Sequence, residues 1–153
     1  MAALSRTIPS PIEAVFGILV DPHTYPEWLV GAKEIRAVDP GWPAVGTQFH
    51  HRVGLFGPLT VADGTRSLAV EPPHRLVLEA RFRPLGRAQV TFELEDAGYV
   101  TRVRMEEHPI GPLGAVGALL EPLIAARNKH SLDALATLAR NLVPADVPAD
   151  VEP

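Results

Sequence analysis

The chain has 153 residues, no cysteine and a formal net charge of -4, from 14 Lys and Arg against 18 Asp and Glu. That length suits one ordinary domain with a real core, and the missing cysteines exclude a disulfide scaffold, a thiol nucleophile and a cysteine-based zinc site. No apolar run approaches the roughly 20 residues of a membrane span, and no basic cluster tracks a phosphate backbone. Neither nucleic acid nor a membrane-spanning role is therefore expected.

The opening "MAALSRTIPSP" lacks the apolar stretch of a signal peptide. With the absent cysteines, this fits a cytoplasmic protein. Residues 3–8 read as a short strand. In "SPIEAVFGILVD", Ser10 stands as a helix cap, Pro11 at the first helical position and Glu13 three residues after the cap. Ile12, Val15, Phe16 and Leu19 give that helix its apolar stripe. Pro22 closes it, and "PHTYPEWLVG" has room for one or two helical turns.

From Lys33 onward the hydrophobic period is two. Strands are expected at 34–38, 47–53, 59–70 (broken near Gly64), 75–82, 88–95 and 99–107. The separators "DPGWPAVG", "GLFGP", "EPPH", "RPLG" and "EDAG" are turn-forming. They leave no room for crossover helices, so the strands must pair antiparallel. Residues 113–142 carry one long helical pattern. Leu120, Ile124, Ser131, Leu135, Leu138 and Leu142 recur at threes and fours once Asn128 is admitted as a polar step. Such a helix spans a whole sheet, and Pro122 should kink it or end a looser first part. The sum is a single two-layer α+β domain over 1–142, with a disordered tail at 143–153.

Neighbouring residues on a strand point to opposite faces, and the apolar parity decides which face is inner. Leu76, Leu78, Ala80 and Phe82 share one face; so do Val90, Phe92 and Leu94, and Thr101, Val103, Met105 and Glu107. In "GTQFHHRVG", Phe49 and Val53 turn His51 inward and leave His50 and Arg52 outside.

"FGILVDPHTYPEWLVG", "GWPAVGTQFHHRVG", "EPPHRLVLEARFRPLG" and "VRMEEHPIGP" followed by "RNKHSLDALATLA" together resemble the START/Bet v1-like (SRPBCC) superfamily. More narrowly, they resemble its small bacterial polyketide cyclase/dehydrase-like proteins, and in order they cover most of residues 5–140. The resemblance implies a helix-grip fold: a curved seven-stranded antiparallel sheet wrapped around a long C-terminal helix, with a cavity between. In that family the cavity takes hydrophobic ligands such as lipids, sterols and aromatic polyketides.

The residues that converge on such a cavity are Phe49, His51, Phe82, Phe92, Met105, Glu107 and Asn128. Trp28 matches the family's tryptophan near the entrance, although it could equally be a lid for the core. His51 could hydrogen-bond a phenol or carbonyl or act as a general base; alternatively, Glu107 or a backbone carbonyl holds it as part of the fold. Glu107 must pair, stay neutral or sit near the mouth. Asn128 contacts a ligand or caps a bulged strand. The histidines, at 23, 50, 51, 74, 108 and 130, form no helical His-x-x-x-His pair, so no metal is expected. No Gly-x-Ser-x-Gly elbow offers a serine nucleophile, and without a Gly-rich phosphate loop no cofactor is expected either.

Three functional classes follow. A monomer or homodimer could bind a small hydrophobic or aromatic molecule. A cyclase or aromatase would use an enolising base and an acid, for which His51 and Glu107 are the only pair on offer. A protein-interaction domain would need no ligand. With no dedicated dyad visible, binding is the reading the sequence favours.

Overall fold

The computed structural model describes residues 2–56, 59–82, 86–111 and 117–142; the side chains of residues 2, 53–56, 59–61, 82, 117 and 118 fall outside that description. The expected tail at 143–153 and the start of the long helical pattern before 117 also lie outside it.

Alternation of apolar and polar residues produces the sheet. The strands are β1 (Ala2–Ile8), β2 (Ala32–Val38), β3 (Gln48–Phe56), β4 (Leu59–Glu71), β5 (Arg75–Phe82), β6 (Gly86–Asp96) and β7 (Thr101–Ile110). They form one sheet in the order β1-β7-β6-β5-β4-β3-β2, and every neighbouring pair is antiparallel. On β7, Thr101, Val103, Met105 and Glu107 are buried while Arg102 and Arg104 are exposed, as the parity requires. Register shifts interrupt β2 twice, β3 once near Gly54 and β4 between Ser67 and Ala69. Each such bulge bends its strand and increases twist, which curls the sheet.

Between β1 and β2 the chain crosses from one sheet edge to the other through α1 (Ile12–Leu19), a short 3-10 turn (Pro22–Thr24) and α2 (Tyr25–Trp28). The long helix α3 (Gly117–Leu142) closes the second layer, with Pro122 inside it. Buried Leu132, Leu135, Ala136 and Ala139 of α3 share one core with Ile8, Val15, Leu19, Leu76, Phe92 and Met105. This is the helix-grip architecture.

Three local expectations need correction. The cap of α1 is Pro11, whose carbonyl accepts from Ala14 and Val15, both at 3.1 Å. Ser10 lies one residue earlier, fully buried, with its carbonyl taking the Thr101 hydroxyl at 2.8 Å. Gly64 does not break β4. It pairs with His50 inside the ladder, and a Cβ there would meet the end of the Gln48 side chain at 3.3 Å and the Phe49 carbonyl at 3.4 Å. On α3 the buried stripe begins at Asn128, and Leu142 at its end is exposed. Ser131 is on the buried stripe as expected, its Oγ accepting from the Val30 N–H at 3.0 Å.

Candidate functional site

Side-chain size leaves space between the layers. The register carries one transverse row through Phe49, Thr65, Ala80 and Ala88, on β3, β4, β5 and β6. The next carries Ser67, Leu78, Val90 and Glu107, and a third Leu76, Phe92 and Met105. Two adjacent alanines in the first row cannot reach the helix layer. A half-enclosed cavity of about 110 Å³ results. Its sheet wall includes Phe49, His51, Thr65, Leu78, Ala80, Ala88, Val90, Phe92, Met105 and Glu107. Tyr25 and Trp28 of α2, Leu29 and Val30 after it, Ala32 and Ile35 of β2, and Arg127 of α3 complete it.

The aromatic part of the wall is rigid. Phe49 meets Tyr25 edge-on at 5.4 Å between ring centres and Trp42 at 4.9 Å. Trp28 meets Tyr25 at 5.3 Å and Phe92 at 6.1 Å. Edge-to-face pairs of this kind add roughly 0.5 to 1.5 kcal/mol each beyond burial. Three polar handles fix the cluster: Trp28 Nε1 donates to Thr24 Oγ1 at 3.1 Å, Trp42 Nε1 to the Val20 carbonyl at 2.7 Å, and the Tyr25 hydroxyl to the Leu19 carbonyl. Burial, with the nearby Asp21 carboxylate, pushes the Tyr25 phenol well above its usual range.

Two polar stations interrupt this apolar surface. At the first, on β3 and β4, His51 is buried and its Nε2 lies 2.8 Å from Thr65 Oγ1. Its Nδ1 is buried without a hydrogen-bond partner. Burial holds the His51 pKa below its ordinary 6.5; the Gly64 carbonyl and the Asp63 carboxylate pull the other way without prevailing. Burial therefore favours the neutral form of the ring. His50 lies on the outer face, half-buried, where it packs over Gly64. At the second station, Glu107 on β7 accepts from Arg127 Nη2 at 2.6 and 2.7 Å through its two oxygens. Arg127 Nε is buried and has no partner.

Trp28, Phe49, His51, Phe92, Met105 and Glu107 all line the cavity. The Phe82 side chain lies outside the described residues. Asn128 departs from expectation: it is buried, with neither amide atom partnered, but it is not on the cavity wall. Consecutive helical residues differ by about 100° in direction, and Arg127 is the one whose long side chain reaches the space. His51 and Glu107 do not form a dyad, because one is held by Thr65 and the other by Arg127. Thr65 escaped sequence reading because Gly64 looked like a break, and Arg127 because it sits off the apolar stripe. The signal available for Arg127 was the need of an inward Glu107 for a cation. Among the described residues, no group of three His, Asp or Glu could hold a metal ion, and no helix is long and apolar enough to cross a membrane.

The family model for "Polyketide cyclase / dehydrase and lipid transport" matches residues 2–140. The chain belongs to that family. Membership agrees with the SRPBCC, Bet v1-like fold. No curated protein matches the sequence. Solved structures similar to it include a Rhodobacter sphaeroides protein at 20% identity, covering 92% of each chain with a TM-score of 0.73. A Mesorhizobium loti protein is 24% identical, with 94% of this chain and 98% of that one covered and a TM-score of 0.66. The Zhui aromatase/cyclase of a Streptomyces is 14% identical, with 94% and 95% covered and a TM-score of 0.68. At these identities the likeness is one of fold. The family is one of small-molecule binding or cyclase chemistry in a cavity between sheet and helix.

Proposed function

We propose that this protein binds a small aromatic or otherwise hydrophobic molecule in the cavity between its sheet and α3. One observation carries the reading: an apolar, aromatic-walled space of about 110 Å³ is kept open by Ala80 and Ala88, with His51 in its wall. Ligand sites are typically concave and apolar with a few orienting polar groups. An apolar cavity on the order of 150 Å³ is known to accept benzene, so the closed space suits about one ring, with any longer part of the ligand extending through the open side. A cyclase reading has less support. Both oxygens of Glu107 already accept from Arg127, which leaves His51 without the acid that an aldol step needs.

The test is native mass spectrometry of the freshly purified protein, together with titration of an uncharged naphthylamine fluorophore. A retained small molecule, or saturable fluorescence enhancement displaced by simple aromatics, is the expected result. No retained mass and no saturable binding would remove the reading.

A further inference from the structure

The outer face of the sheet, away from the cavity, gathers charge where β4, β5 and β6 lie side by side. Arg66 stands directly opposite Glu79, and Arg81 directly opposite Arg87. Alternation puts these four on the face behind Ala80 and Ala88 of the cavity wall. Glu79 Oε1 accepts from Arg81 Nε at 3.0 Å, while its Oε2 stands 3.9 Å from Arg87 Nη1. Arg66 pairs with no carboxylate among the described residues. Three guanidinium groups thus share one carboxylate, in a chain whose formal net charge is -4. Farther along the same face the balance reverses, for Arg75 and Arg104 hold Glu71, Glu93 and Glu106. Like charges directly opposite on neighbouring strands destabilise a sheet. A network serving the fold alone would set an acid opposite Arg87, as Glu93 and Glu71 stand opposite Arg75.

We infer that Arg66, Arg81 and Arg87 form a binding site for a phosphate monoester group, separate from the cavity and independent of what the cavity holds. The charge matches. One carboxylate against three guanidinium groups leaves two positive charges, and a monoester carries about -1.5 to -2 near neutral pH. The shape matches as well. Glu79 is planar, and in bonding Arg81 it leaves Arg87 beyond hydrogen-bond distance. A phosphate presents three acceptor oxygens that point apart, and the guanidinium fork suits them. Diagonal neighbours on adjacent strands are about 7 to 8 Å apart, within reach of long side chains, and Arg66 and Arg81 are so placed. Arg87 is 52% exposed and can turn onto an incoming group, whereas Glu79 and Arg81 are largely covered. Partial burial leaves the surplus charge less screened than on open surface. The arginines come from three strands, so no run of basic residues in the sequence announces the site. A free metabolite and a lipid headgroup would present the same group.

Nuclear magnetic resonance titration with glycerol 2-phosphate, too polar for the apolar cavity, tests this at constant ionic strength set with sodium chloride. Saturable shifts should concentrate at the backbone amides around Arg66, Arg81 and Arg87, and acetate should produce none. Arg66→Gln and Arg87→Gln should each lower the affinity at least fivefold. Arg75→Gln removes the same charge from the same face and should leave it unchanged. Glu79→Gln should raise the affinity, because the competing carboxylate is gone; a cluster that served only the fold would lose stability and gain no affinity. Naphthylamine fluorescence should be the same in all four variants, which shows the cavity intact. Co-sedimentation with phosphatidylcholine vesicles, with and without phosphatidic acid, distinguishes the sources. Saturation in solution without vesicle binding assigns a free monoester, and vesicle binding that needs both phosphatidic acid and Arg87 assigns a headgroup. Absence of both kinds of binding overturns the inference. So does an affinity unchanged in Arg87→Gln, or one reduced as much in Arg75→Gln, which would report net charge alone.

Discussion

Arg127 Nη2 bridges both carboxylate oxygens of Glu107, at 2.6 and 2.7 Å, and so ties α3 to β7 across the wall of the cavity. The carboxylate is almost fully buried while the arginine is 39% exposed. The two partners should therefore respond unequally to truncation. Arg127→Met strands a buried carboxylate, and a loss of about 2 kcal/mol is expected, below the 3 to 5 kcal/mol seen when fully buried pairs are broken. Adding Glu107→Leu to that variant should recover most of the loss. Urea denaturation of the two singles and the double, treated as a mutant cycle, measures the coupling.

Filling the cavity should separate binding from folding. Ala80 and Ala88 face each other across β5 and β6 and leave the space that a larger pair would occupy. Ala80→Leu should reduce naphthylamine binding at least tenfold. Its stability should change by less than about 1.5 kcal/mol, since the added methylenes enter a void instead of a packed core. Undiminished binding in a folded Ala80→Leu protein would place the ligand elsewhere.

His51 gives a pH signature. Its pKa is lower in the folded chain than the ordinary 6.5 because burial disfavours the imidazolium. In the window below 6.5 the unfolded chain binds a proton that the folded chain refuses, so stability falls as pH falls there and is fully present above it. Replacing His51 with Phe should flatten that part of the stability profile. The half-buried Glu106, whose pKa is held down by hydrogen bonds from His108 and Arg104, acts in a lower and separate range. Equilibrium urea curves between pH 7 and 5 on both proteins decide it.

The sheet and the inward face of β7 were legible because strict alternation leaves one solution: a one-residue slip would expose Val103 and Met105 and bury Arg104. His51 was legible for the same reason, through Phe49. Its partner was not. Reading Gly64 as a break hid the parity of Thr65, which the unbroken β3–β4 register restores. Arg127 was hidden by reach: a long side chain beside the apolar stripe can enter a cavity that its Cα does not face. Polar residues on the inner face also proved ambiguous as site markers. Thr101 and Ser131 serve backbone groups, at Ser10 and Val30, and lie off the cavity wall.

Two glycines make a final, paired prediction. At Gly64 an added methyl would meet the end of the Gln48 side chain at 3.3 Å, which must give by a few tenths of an ångström, and would lie in ordinary contact with the Phe49 carbonyl at 3.4 Å and the His50 ring at 3.7 Å. Gly64→Ala should therefore cost no more than about 1 kcal/mol and leave naphthylamine binding unchanged, since the added group lies on the outer face with His50. At Gly17, in the middle of α1 and exposed, an added methyl meets nothing within 4 Å. Gly17→Ala should stabilise by about 0.5 to 1 kcal/mol, the helix-propensity difference, and leave binding unchanged. Thermal and urea denaturation of both variants, with the same fluorophore titration, provide the check. A loss well above ~1 kcal/mol in Gly64→Ala would mean that neither the Gln48 side chain nor β3 can give there.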